Sequence, residues 1–298
     1  MKQSLITIAL LVAVFFSHAQ DATVKGLQNS ASKEVKSAEK DGWKHTGALI
    51  LNLNQGSLSN WAAGGEQNTL GINFIFNYAV NFRKGKNTWD NYFNLGLGFQ
   101  DASSYSKFRK TDDLIDVTSK YGHQVSKKWY VAALVNFNSQ ALEGFAYTDT
   151  VNTKISNFLA PGKLLVSLGM DYRPNDNLSV FISPITTRWI FKKDPDFYAF
   201  DKFGVPAFKK SYNEIGAYLT AKYSKPLAKW ATYTGRLDLF SNYQRKPQNV
   251  DVYMTNLLTM KFNAWLGTTI SLDMIYDDDV IKKTQLKEIL GIGLTLKL

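Results

Sequence analysis

His45 and His123 are the two histidines that lie beyond the N-terminal signal-like segment of this chain, and it contains no cysteine. A hydrolytic centre would need a serine hydroxyl within hydrogen-bond reach of an imidazole, and Ser119 is the nearest candidate, four residues before His123. Both fall on one face of an alternating segment, where four residues span more than about 12 Å. They cannot bond directly, there is no HExxH pair, and the expectation is a chain that is not an enzyme and uses no cofactor. Two acidic stretches, Tyr276 to Asp279 (YDDD) and Asp194 to Asp196 (DPD), carry the hard oxygen ligands that calcium takes. Short acidic loops are as a rule simply solvated, so no metal is expected.

The charged residues that remain need a framework to place them, and the stretch NTLGINFIFNYAVNF, Asn68 to Phe82, indicates which one. Leu70, Ile72, Phe74, Phe76, Tyr78, Val80 and Phe82 share one parity, and small or polar residues, Ile75 apart, share the other. Strict alternation defines a β-strand. Strands of globular sheets usually run about five or six residues, whereas this one runs on for roughly fourteen. One face therefore meets a wide apolar medium. Twelve such segments are predicted: 43–54, 69–82, 88–100, 112–125, 129–140, 163–173, 178–187, 212–223, 230–243, 250–263, 266–277 and 286–298. Their links alternate between short ones, such as 83–87, 126–128 and 174–177, and longer ones, such as 55–68, 141–162 and 188–211. An even number of strands with short turns at one end and long loops at the other predicts an all-β fold, a single antiparallel up-and-down transmembrane β-barrel with short periplasmic turns.

The N-terminus agrees with export. A basic start, an apolar run from Leu5 to Phe16 and the small residues of Ser17-His18-Ala19 read as a signal peptide over 1–19, cut after Ala19. Residues 20–42 read as a flexible periplasmic leader, and 43–298 as the barrel. A mean hydropathy of -0.22 suits a barrel whose strands are half polar. The formal charge of +10, which becomes +9 without Lys2, favours anionic head groups or an anionic solute, and export argues against nucleic acid.

Trp43, Trp89, Trp129, Trp230 and Trp265 lie at the turn ends of predicted strands, where an amphipathic ring sits at the membrane interface. Trp61 and Trp189 are placed in long loops. Inward parity collects Lys44, Lys120, Lys163, Arg173, Lys222, Arg236, Lys261, Lys287 and Lys297 against Asp90, Asp116, Asp171, Glu214, Asp238, Asp251, Asp273 and Asp277. Arg236, Asp238, Glu214 and Lys222 are the candidate lumen constriction. A wet lumen would make arginine mild at Asn77 and damaging at Phe76. The segment from Arg188 to Ser211 holds Trp189, Phe191, Phe197, Tyr198, Phe200, Phe203 and Phe208; so many aromatics must pack on the barrel mouth or on a protein partner.

Two resemblances add to this reading. Gln55, the NWAAGG of Asn60 to Gly65, the asparagines after it and Trp89-Asp90-Asn91 resemble the Bacteroidota family of unknown function labelled DUF3078. The resemblance implies an outer-membrane location and brings no activity with it. Within it, Trp61, Gly64 and Gly65 read as loop anchors. The last strand, with Gly293, Leu296 and Leu298, resembles the signal read by the barrel assembly machinery, departing from it at Gly291 and in its final leucine. Expected partners are outer-membrane lipids and lipopolysaccharide, that machinery during insertion, and an outer-membrane protein met through the extracellular loops. Function is open between a narrow small-solute channel and an accessory barrel within a larger assembly.

Overall fold

The computed structural model describes residues 41–57, 68–102, 104, 107–147, 152–263, 265–277 and 281–297. The signal segment, most of the leader, Trp61, Gly64, Gly65, Asp278 and Asp279 lie outside them. Long alternating segments form long strands: β1 (Gly42–Ser57), β2 (Asn68–Lys84), β3 (Asn87–Ala102), β4 (Arg109–Gln124), β5 (Trp129–Ser139), a short pair β6 (Gly144–Tyr147) and β7 (Asn152–Ser156), then β8 (Gly162–Asn175), β9 (Leu178–Phe191), β10 (Ser211–Ala228), β11 (Ala231–Asn242), β12 (Val250–Lys261), β13 (Leu266–Asp277) and β14 (Ile281–Lys297). All but β6 and β7 close into one antiparallel ring of twelve strands, each paired with its neighbours in sequence once the β6–β7 hairpin is set aside. That hairpin sits in the loop between β5 and β8, which the alternation left without structure.

The ring closes where β14 meets β1. Among the described residues five pairs join them, from Ala48 opposite Lys297 to Asn52 opposite Gly293, whereas β1 and β2 are paired over all sixteen residues of β1.

The outer wall is apolar along the strands, with Phe74, Phe93, Leu95, Val135, Leu168 and Ile182 exposed on it. Trp43, Trp89, Trp129, Trp230 and Trp265 are exposed at the turn end of this band. Trp43 packs against Phe82 at 4.9 Å and Trp89 at 5.8 Å, and Trp129 against Tyr172 at 4.7 Å. A closed ring leaves no continuous free edge, and the apolar face with its aromatic belt is what a barrel crossing a bilayer presents.

The inner wall corrects three expectations. First, β9 runs to Phe191, so Trp189 is a strand residue facing outward and Arg188 faces the lumen. The cause is a bulge: register slips between Gly216 and Tyr218 on β10 and between Leu168 and Met170 on β8, opposite Pro184 and Ile185, which both face out. A bulge advances parity by one. It is accommodated at glycines, since a Cβ on Gly169 would lie 2.1 Å from the Ile182 carbonyl oxygen and one on Gly216 2.0 Å from that of Ser241. Second, β2 extends through Arg83, placed by parity in a turn, and its guanidinium reaches into the barrel to Asp90. Third, the lumen is filled: Asn77, Ala79, Asn94, Asp116, Asp171, Phe181, Glu214, Arg236 and Asp238 are all buried. Arginine at Asn77 would meet packed side chains, so the expected mildness there does not follow.

Candidate functional site: the barrel interior and its loop cap

Three layers of side chains fill the lumen. Nearest the turns, Asp171 on β8 accepts from Lys120 at 2.7 Å, from Arg173 at 2.7 Å and from the Ser179 hydroxyl at 2.7 Å. Arg173 also reaches Asp90 on β3 at 3.2 Å, and Asp90 receives Arg83 at 2.6 Å. A buried carboxylate is stable as an ion only when paired and hydrogen-bonded, and each of these two is bound by two cations.

The middle layer is largely apolar. Ala132, Leu134, Phe181, Tyr218 and Phe240 cluster inside the ring, with Leu165 packed against them. Arg236 pairs with Asp238 at 2.6 Å on the same strand, and the Tyr218 hydroxyl donates to Asp238. Lys222 stands opposite Arg236 in register and turns away from that like charge. Its ammonium lies 4.8 Å from the centre of the Tyr92 ring on β3, across the lumen past β9, β8, β5 and β4. In a ring of twelve strands, a contact between β10 and β3 is nearly diametric.

At the loop end Arg188 binds Glu214 at 2.5 Å and Asp251 at 2.8 Å, with its guanidinium 4.0 Å from the Phe240 ring centre. Tyr253 donates to Asp277 at 2.7 Å, and Lys163 reaches over the Tyr253 ring at 5.6 Å. Of the four candidate constriction residues, Arg236, Asp238 and Lys222 are therefore brought to one level. Glu214 is not; it belongs with Arg188. Each layer carries its own counter-ions.

The loop between β9 and β10 folds over this end. Lys192 is wholly buried, and its Nζ donates to the carbonyls of Phe200 at 2.5 Å, Pro206 at 3.0 Å and Val205 at 3.3 Å. Burial pushes its ammonium below the ordinary lysine range, opposed by the charge of Asp201. Phe197 is buried against Phe203 at 5.5 Å, and Lys202 lies 3.7 Å from the Phe197 ring centre. The loop aromatics thus divide: Phe197 and Phe203 form the loop's own core, while Tyr198, Phe200 and Phe208 stay exposed. Neither packing on the barrel mouth nor a partner was needed for the first pair.

Lys154, on β7, joins this loop to the neighbouring hairpin. It binds Glu143 at 2.7 Å, Asp194 at 3.0 Å and Asp196 at 2.8 Å. Asn157 adds a bond to Asp194 at 2.7 Å. The carboxylates considered for calcium at 194 and 196 are thus turned to an internal ammonium, and Asp277 takes the Tyr253 hydroxyl. Asp196, Glu143 and Asp194 together hold the Lys154 ammonium above its ordinary value. Burial alone would raise Asp194, but Asn157, the Asp196 amide and Lys154 outweigh it and leave it below 3.8. A depressed carboxylate gives stability that is complete above its unfolded value and lost as pH falls through its folded one. The joint is therefore expected to hold at neutral pH and to loosen only in acid below about pH 4. Lys154→Ala should make residues 192–210 several-fold more sensitive to limited proteolysis at pH 7 without changing the barrel's heat-modifiable migration; unchanged cleavage would show that the joint does not order the loop.

On the outer face, Ser119 donates to Asn91 at 2.8 Å and receives Trp89 Nε1 at 2.9 Å, whereas His123 meets Asn87 at 2.8 Å and His45 meets Tyr78 at 3.1 Å. Ser119 and His123 have separate partners and form no dyad.

The family described as "Protein of unknown function (DUF3078)" matches residues 53–145, less than half of the chain, and no curated protein matches. Among solved structures, the chain is similar to the translocator domain of the autotransporter NalP from Neisseria meningitidis, at 12% identity and a TM-score of 0.41, covering 92% of each chain. It is also similar to the NanC porin, at 10% identity and 0.42, covering 85% of this chain and 100% of that one. Outer membrane phospholipase A from Escherichia coli matches at 11% identity and 0.39, covering 93% and 98%. That last name corrects the expectation that this chain is not an enzyme: barrels of the same general architecture include a phospholipase, so a barrel wall does not exclude catalysis.

Proposed function

We propose that this is an outer-membrane barrel that is closed to solutes and serves as an accessory or scaffold barrel within a larger outer-membrane assembly, its loop cap turned to the outside. The observation that carries this is Lys222 over Tyr92. A side chain spanning the lumen between nearly opposite strands, flanked by an apolar layer and two ion-paired layers, supports a packed core in place of a pore. The tryptophan belt would be held at the inner interface by phospholipid, the outer rim would meet lipopolysaccharide, and the terminal strand would be read by the assembly machinery. A narrow channel is the weaker reading because it would need the constriction residues to part.

Planar bilayers at high salt test this. Wild type is expected to be silent, and a Lys222→Ala, Arg236→Ala double variant to show small conductance steps, because the two cations crowding the middle layer are gone. Steady conductance by the folded wild type would replace this reading with the channel.

A further inference from the structure

The joined loops outside the barrel present an aromatic surface whose internal chemistry is already satisfied. Phe208 is 68% exposed and Phe200 62%. Phe208 also has a backbone φ of 59°, in the left-handed region that a bulky residue enters only at a cost of order 1 to 3 kcal/mol. Burial does not repay that cost, because the ring points to solvent. The conformation is held instead by the Phe208 amide donating to the Tyr198 carbonyl at 2.7 Å, and the two rings meet edge to face at 5.8 Å. They form a rigid wedge and not a flat platform of the kind on which a sugar ring stacks. Lys192 braces the same loop from within, and its bond to the Phe200 carbonyl fixes the backbone that carries the third ring.

Charge narrows what could cover this surface. Asp194 and Asp196 are taken up by Lys154, and the Asp201 carboxylate accepts the Ala207 amide at 2.6 Å. Lys209 and Lys210, next to Phe208, are exposed and have no ion-pair partner among the described residues. Asp194 and Asp196 are thus turned towards Lys154 and Asp201 towards its own loop's backbone, while Lys209 and Lys210 beside the wedge are exposed.

We infer that Tyr198, Phe200 and Phe208, bordered by Lys209 and Lys210, are the docking surface for a protein partner that offers an apolar pocket with an acidic rim. This rests on the accessory reading above and gives it a location. Pre-ordered aromatics at the centre of a charged border are the arrangement that carries most of the energy in protein interfaces, and rings fixed before binding lose little freedom on docking.

The test is purification of the full chain, with an affinity tag on a loop other than this one, from native outer membranes in mild detergent. Any partner at near-equal stoichiometry to the wild type is then quantified for Phe200→Ser with Phe208→Ser and, separately, for Lys209→Glu with Lys210→Glu. Folding is checked by heat-modifiable migration. Both variants are expected to remain folded and to lose the partner at least tenfold, and the wild-type complex to weaken as salt is raised. Retention of the partner by both variants would overturn the docking surface while leaving the accessory reading in place. Absence of any partner from the wild type would overturn both. Binding of the wild type, but not the variants, to vesicles containing lipopolysaccharide, with the protein partner unaffected, would reassign the surface to the glycolipid and overturn the protein-docking inference.

Discussion

Replacing Arg188 with alanine is expected to destabilise the barrel by about 3 to 5 kcal/mol, the cost of breaking a buried ion pair by removing one side. Its guanidinium bonds both Glu214 and Asp251 and also covers the Phe240 ring. Without it, two carboxylates remain inside a packed lumen with their cation gone. Arg188→Lys should rescue only part of the loss, since an ammonium lacks the fork that reaches two acids in different directions. Removing the stranded charges as well, with Glu214→Gln and Asp251→Asn in the alanine background, should recover more. Urea unfolding in lipid vesicles measures this series. A midpoint for Arg188→Ala equal to that of the wild type would mean that this layer is not part of the barrel's core.

Phe76→Arg should cost about 2 to 4 kcal/mol in the same measurement, the scale for arginine on the lipid side near the bilayer midplane. Phe76 faces outward and stacks on Tyr78 at 6.1 Å with the rings 10° apart. Phe76→Leu, which keeps the apolar contact, should stay close to wild type. Asn77→Arg next door should also destabilise, by about 1 to 3 kcal/mol, through overpacking, because Asn77 is buried between Ala48 and Asn94 in register. The two can be separated by bilayer thickness: the penalty at Phe76 depends on lipid depth and the one at Asn77 does not. A harmless Phe76→Arg would put that face somewhere other than in lipid.

The strands were legible because a wall between lipid and a mostly polar interior enforces period two, and NTLGINFIFNYAVNF shows it almost without fault. What was not legible had specific causes. Pro184 sits where a bulge advances the parity, so Arg188 read as the start of a loop although it anchors the loop-end layer. Arg83 lies beside a two-residue turn, and its inward reach depends on register. Parity assigned Lys222 to the lumen side but could not say that it meets Tyr92, since strands 130 residues apart become opposite only when the ring closes. Parity collected the inward charges, but which charge serves which is a property of the closed cylinder. Lys192 carried no signal at all, because its ligands are backbone carbonyls, which every sequence has.

The join between β1 and β14 sets how the molecule comes together and how it would come apart. Its described pairs bring Ala48 against Lys297, so this ladder closes a wider loop of sequence than any other described ladder of the wall. Every other ladder can form between strands that follow closely in the chain, and loop-closure entropy makes the widest one the last to be favourable. A nascent wall would thus exist as an open, curling sheet until its two ends meet. Under force or heat the cylinder should unzip from the same line, as a sleeve parts along its seam.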